Sequence, residues 1–288
     1  MRLRFCSWWD ARPRKCRGLS RLLKMQDGTR RTRRNCKEMP SDSHRKIMDE
    51  EMRRDLEAQP QEHGVSGEGY VGTIPFQILS WRPRALYFPY FASALQCQSI
   101  INMTKFRLKP SKVALSPGYT YENTKRIRTS SGMFISAYED KTRILDQIEE
   151  KIARATMIPR THGEAFNVLR YEIGQLYELH HDSFDPNIFG SQKSQRVASF
   201  LLYLSDVEEG GETVFPFENG NINPKYDFRQ CTGLKVKPRR GDGLLFYSLF
   251  PNGTLDPTSL HGSCPVIRGQ KWVATKWIGV NVQDDDSR

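Results

Sequence analysis

No stretch of the 288-residue sequence approaches the roughly 18 consecutive apolar residues that a transmembrane helix requires. Its N-terminus also lacks the apolar core of roughly 7–15 residues that marks a secretory signal, because Phe5-Cys6-Ser7-Trp8-Trp9 is short and bounded by charge. On these grounds the expectation is a soluble chain without an export signal. No internal repeat is present, which argues against solenoids and propellers. Neither an H-E-x-x-H helix nor a cysteine-rich zinc cluster occurs, which removes the common zinc-hydrolase signatures. No nucleic-acid-binding module is recognisable either.

That last absence matters because the formal charge is +11. Residues 1–46 hold 15 of the 44 Lys and Arg but only 4 of the 33 Asp and Glu, so the whole excess lies there. The remaining charges balance, and the basic character belongs to a tail. A basic stretch with Trp8 and Trp9 is able to touch RNA or anionic lipid. A disordered leader is the simpler reading, and no nucleic-acid partner is expected.

Six cysteines decide little by number, since Cys6, Cys16 and Cys36 lie in the tail. Cys231 and Cys264 lie among the motifs below and are able to pair if the fold brings them together. Asn102-Met103-Thr104 and Asn252-Gly253-Thr254 are glycosylation sequons, meaningful only in a secretory compartment.

Residues 1–68 are Arg-rich and poor in aliphatics, with at most a short helix over 46–56. From Phe76 the composition becomes globular. A strand is expected over 76–80, followed by a helix over 93–103 capped by Ser93. A better helix spans 140–156, where Ile144, Leu145, Ile148 and Ile152 gather on one face. After residue 166 the pattern turns to short β runs, over 166–177, 197–204, 244–248 and 271–280. Gly, Pro and Asn separate them, which suggests a sandwich or jelly roll buttressed by helices.

The chemistry gathers in His180-His181-Asp182, with His261 and Lys271 downstream. Side chains alternate along a strand, so His180 and Asp182 share a face while His181 points away. An H-x-D pair alone is common by chance. With a distal histidine it makes the 2-His-1-carboxylate set of non-haem Fe(II) oxygenases, which leaves three positions open. The same ligands also suit a catalytic Zn²⁺, and the set by itself does not choose. If 271–277 is a strand, Lys271, Val273, Thr275 and Trp277 share one face. A lysine pointing into a barrel is costly unless a charge compensates it. A bound dicarboxylate such as 2-oxoglutarate would supply that charge, with Thr275 adding a hydrogen bond. An edge strand with Lys271 in solvent is the alternative.

Longer motifs surround these residues: Ser80-Trp81-Arg82-Pro83-Arg84, Tyr171-Glu172-Ile173-Gly174-Gln175, Ser194-Gln195-Arg196-Val197-Ala198-Ser199, and Asp206-Val207-Glu208-Glu209-Gly210-Gly211-Glu212-Thr213. With the block from Lys271 to Trp277, they make the chain resemble plant prolyl 4-hydroxylases of the Fe(II)/2-oxoglutarate dioxygenase superfamily. The resemblance runs from about residue 76 to 280. It implies an α+β fold, a double-stranded β-helix (jelly roll) with flanking N-terminal helices. Residues 1–68 would be the tail and 69–288 the catalytic domain, with the oxygenase core at about 163–281.

Residue by residue, the resemblance implies that His180, Asp182 and His261 hold iron. It implies that Lys271 meets the distal carboxylate of 2-oxoglutarate, supported by Thr275, Tyr171 and Thr213. Tyr177, Arg196 and Trp277 would contact the peptide. Core packing for the two aromatics and a surface ion pair for Arg196 are the plainer readings. A Cys231–Cys264 disulfide is implied, as is an endoplasmic reticulum or Golgi lumen. Relatives usually begin with a membrane anchor, for which a basic tail stands here. His181 departs mildly from an often aromatic position.

The activity implied is that of a procollagen-proline 4-dioxygenase: 2-oxoglutarate and O₂ are consumed, succinate and CO₂ released, and C4 of a peptidyl proline hydroxylated. Ascorbate would restore over-oxidised iron. Extensin-like, proline-rich substrates suit an aromatic groove because polyproline II chains are preorganised. An oxygenase for another residue or proline context, and a non-catalytic module for proline-rich peptides, are the alternatives. The intact four-residue set argues against the second.

Overall fold

Period-2 alternation along three central strands decides where everything else sits. The computed structural model describes residues 74–283 apart from 116, 117, 119, 221, 222 and 224. The expected tail over 1–68 and the short helix over 46–56 therefore lie outside the described residues.

The larger sheet runs in the order β1 (Gln77–Trp81), β2 (Arg84–Phe88), β11 (Gly243–Tyr247), β7 (Arg196–Tyr203), β14 (Lys271–Gly279), β5 (Phe166–Tyr171), β4 (Ser131–Ile135) and β3 (Lys109–Pro110). A smaller sheet follows the order β10 (Leu234–Val236), β9 (Thr213–Phe215), β12 (His261–Ser263) and β6 (Tyr177–His180). A two-stranded ribbon joins β13 (Val266–Gly269) to β8 (Val207–Gly210). All ladder pairings between these strands are antiparallel. This is the expected jelly roll.

Each central strand divides its side chains between two cores. Phe166 and Val168 of β5, Ala198, Phe200 and Leu202 of β7, and Trp272, Ala274 and Ile278 of β14 pack on the outer face of the larger sheet. The helices Ala94–Thr104 and Ile144–Thr156 cover that face through Cys97, Ile100, Leu145, Ile148 and Ile152. The alternate residues Leu169, Tyr171, Leu201, Tyr203 and Val273 turn inward, toward Phe215 and Val236 of the smaller sheet. Burying these side chains contributes roughly 1.5–3 kcal/mol each.

Ser93 caps its helix as expected. Its hydroxyl accepts from the Gln96 amide at 3.2 Å, and the Gln96 side chain accepts from the Ser93 amide at 2.9 Å. The second helix begins at Ile144 and not at Asp140. The Asp140 carboxylate accepts from the amides of Thr142 and Leu145, at 2.8 Å each, which holds the intervening chain in a turn.

The run over 166–177 is also not one strand. β5 ends at Tyr171 and β6 begins at Tyr177, in a different sheet. Gly174, at φ +79°, makes the corner between them. Among the described residues no helix is long and apolar enough to cross a membrane.

Candidate active site

Pairing of β6 with β12 sets His180 directly opposite His261. Opposed side chains on an antiparallel pair have Cβ atoms only about 5 Å apart, and here the two imidazole centroids are 4.3 Å apart. Each ring is oriented by the backbone two residues before it. His180 Nδ1 lies 2.8 Å from the Glu178 carbonyl, and His261 Nδ1 lies 2.9 Å from that of Ser259. A carbonyl only accepts, so Nδ1 carries the proton and the Nε2 lone pair is free.

Both free nitrogens face Asp182. Its carboxylate oxygens lie 3.6 Å from His180 Nε2 and 3.7 Å from His261 Nε2. One oxygen also accepts from the Ser199 hydroxyl at 2.5 Å. The ligand atoms of His180, Asp182 and His261 all fall within 4.8 Å of one another, as one cation would need.

Protonation favours ligation. Burial pushes the His261 imidazole down to about 3, helped by neighbouring His180, so it stays neutral. Burial alone would raise Asp182. The facing His261 and His180 and nearby Arg196 more than offset this and hold it ionised.

Lys271 enters the same pocket from β14. It is only 1% exposed, and β14 lies between β5 and β7, so the edge-strand alternative is excluded. Its Nζ donates to Ser263 Oγ at 2.8 Å and forms no ion pair among the described residues. Burial pushes its pKa down to about 7, with Glu212 pulling the other way. Tyr171, Thr213 and Thr275 line this pocket with Lys271 and the three ligands. The Thr213 hydroxyl is bonded to that of Tyr203 at 2.8 Å.

The donor set therefore fits a divalent cation with open positions, and Lys271 fits a carboxylate that the protein itself does not provide. Such a pairing suits an oxygenase that binds a dicarboxylate beside its metal. The description "2OG-Fe(II) oxygenase superfamily" matches residues 166–279, from β5 to the end of β14. Probable prolyl 4-hydroxylase 9 of Arabidopsis thaliana is 67% identical over 230 residues, which is 80% of this chain and 80% of that protein. Prolyl 4-hydroxylase 13 of the same plant is 55% identical over 223 residues, 77% and 79% of the two chains.

The chain belongs to the prolyl 4-hydroxylase family.

Among solved structures it is similar to the viral collagen prolyl hydroxylase vCPH of Paramecium Bursaria Chlorella virus-1, whose crystal structure is a 2OG complex. The two share 28% identity over 68% of this chain and 96% of that one, with a TM-score of 0.51. The cofactors of this family, Fe(II) and 2-oxoglutarate, suit the residues found here.

Outside the pocket a groove runs past the ligands and is lined by Tyr177, Arg196 and Trp277. The Tyr177 ring stacks on His180 at 3.6 Å. Arg196 lies 3.8 Å over the Trp277 ring, and Glu164 grips its guanidinium through two bonds of 2.6 and 2.7 Å. The ion pair expected as the plainer reading of Arg196 thus exists, yet it serves to hold the arginine against the groove wall. The indole nitrogen of Trp277 is buried without a hydrogen-bond partner.

Sequence reasoning missed Arg128. It is buried, lines both pocket and groove, and lies 4.6 Å over the Tyr177 ring. Its Nε has no partner, so it retains a donor for a ligand. Glu164, Ser199 and Ser263 were missed as well. His181 turns away from the metal ligands and meets Ser259 Oγ at 3.3 Å. Cys231 and Cys264 are bonded to each other, which ties the turn Phe228–Gln230 to the end of β12.

Proposed function

We propose that this oxygenase hydroxylates C4 of prolines in peptide chains that lie along the groove. What carries the reading is one juxtaposition: three metal ligands and an unpaired, buried Lys271 share a pocket that opens beside Tyr177 and Trp277. Iron, once bound with 2-oxoglutarate and O₂, supplies the oxidising chemistry that splits the cosubstrate into succinate and CO₂ and places one oxygen on the substrate.

The chain's own residues bind and orient. His180, Asp182 and His261 would hold the metal, with Ser199 fixing the carboxylate. Lys271, anchored by Ser263, would receive the distal carboxylate of 2-oxoglutarate and exclude water from that end. Thr275 and Tyr171 would complete the wall. Tyr177 and Trp277 line the groove wall, where His180 and Arg128 hold the first ring and Arg196 stiffens the second. An extended proline-rich chain loses little entropy on entering such a groove.

Extensin-like, hydroxyproline-rich glycoproteins are the substrates proposed, with ascorbate as the reductant that restores iron. An endoplasmic reticulum or Golgi lumen is the proposed site of action, and the Cys231–Cys264 disulfide supports an oxidising compartment.

The test is Fe(II) reconstitution followed by mass spectrometry and amino-acid analysis of a proline-rich peptide. Formation of 4-hydroxyproline, lost in His180→Ala while peptide binding persists, supports the reading. A gain of oxygen on another residue would transfer the activity to a different substrate class. Binding with no oxidation by reconstituted wild-type protein would leave a recognition module.

A further inference from the structure

We propose that the groove selects peptides with an acidic side chain roughly six residues from the target proline, on the side toward β3. This rests on the peptide-hydroxylase reading above and names the sequence context which that reading leaves open.

The groove is electrically lopsided. Arg107, Lys109 and Lys112 line the arm formed by β3 and the chain on either side of it, and Arg128 stands where this arm meets the pocket. Among the described residues only two acidic ones line the groove, Asp182 and Asp185. Asp182 is spoken for by the metal site. Asp185 lies on the opposite arm, where it caps the turn Pro186–Phe189 by accepting from the Asn187 amide at 2.9 Å.

The basic arm is not neutralised from within. Glu139 meets Arg107 at 3.3 Å, with both side chains about half exposed. Lys109 and Lys112 form no ion pair among the described residues. Lys112 has only the face of Tyr121, 5.3 Å from its ammonium, and its carbonyl accepts from Arg128 at 3.2 Å. Concave surfaces lined by one sign of charge concentrate ligands of the other sign.

The sheet supplies a ruler. Trp277 lies on β14, and β5 and β4 separate that strand from β3. Three interstrand steps of about 4.8 Å make roughly 14 Å across the sheet, and Lys109, in line with Gly132, Leu169 and Val273, is offset from Trp277 by four residues of about 3.3 Å along it, which makes about 19 Å in all. A polyproline II chain advances about 3.1 Å per residue, so this is a reach of roughly six residues. An acidic side chain at that distance meets Lys109 and Lys112, and a basic one is repelled.

The experiment uses the full-length, iron-loaded enzyme with peptides that share one proline-rich core. Glu, Gln or Lys is placed roughly six residues from the target proline, before it in one set and after it in another. KM and kcat are read from the hydroxylated mass. In one of the two sets the Glu peptide should show a KM about 3–10-fold below that of the Lys peptide, with similar kcat and a gap that narrows at high salt. The double variant Lys109→Glu/Lys112→Glu should reverse the order, which only a folded, active enzyme can do. Equal KM values in both sets, a preference for Lys, or an unchanged order in the double variant would overturn the proposal alone. Absence of hydroxylation on every peptide would remove it together with the reading on which it rests.

Discussion

His180 and His261 are register partners across the β6–β12 pair, and that pairing, more than their spacing of 81 positions in the chain, makes them a ligand pair. A slip of one residue would turn one ring to the opposite face of the sheet. His261→Ala should therefore abolish stoichiometric Fe(II) binding and lower hydroxylation by at least about a thousandfold, in line with the loss of a metal-held site. Equilibrium dialysis with Fe(II), beside a peptide-binding assay, checks it. Normal iron content in the variant contradicts the assignment.

Ser199 lies 17 residues from Asp182 and holds one of its oxygens at 2.5 Å. Removing a partner that orients a metal ligand commonly weakens the metal about 10–100-fold. Ser199→Ala should show that loss, with activity recovered by excess Fe(II) and with peptide KM unchanged. Failure of added iron to restore turnover would show that the hydroxyl acts elsewhere.

Lys271 gives a pH dependence of definite sign. Burial lowers its pKa to about 7, and a carboxylate is bound by the charged form. Above pH 7 the free enzyme has lost the proton and must take it up on binding. The Kd for 2-oxoglutarate should rise between pH 7 and 9, by up to about tenfold per unit, and level off below pH 7 as far as this group is concerned. Anaerobic calorimetry in buffers of different ionisation enthalpy should find uptake approaching one proton at pH 8. Lys271→Met should bind weakly with no such slope. A wild-type Kd that is flat over this range contradicts the account.

Cys231 and Cys264 close a loop of 33 residues. Constraining a loop of that length in the unfolded chain is worth about 3.7 kcal/mol. The double variant Cys231→Ser/Cys264→Ser should lose stability of that order, seen as a lower Tm. A matching Tm would mean that Phe228 and its turn need no tether.

Much of the site was legible because strands repeat every two residues. That period put Lys271, Val273, Thr275 and Trp277 on one face, and all four line the pocket. It does not account for the pairing of His180 with Asp182, because β6 ends at His180 and Asp182 lies in the bend beyond it. What stayed hidden depends on pairings between distant segments. Arg128 reaches the site through an isolated bridge to Tyr177, and Glu164 meets Arg196 from 32 positions away. Nothing near either residue in the chain marks it. The 166–177 run read as one strand because its apolar content continues past Tyr171, whereas the positive φ at Gly174 turns it into the other sheet.

The most direct measurement follows the two atoms of ¹⁸O₂ during turnover with a proline-rich peptide. The account predicts one labelled atom in 4-hydroxyproline and one in succinate, in equal amounts and absent from Lys271→Ala. Labelled succinate with an unmodified peptide, under saturating peptide and Fe(II), would contradict it.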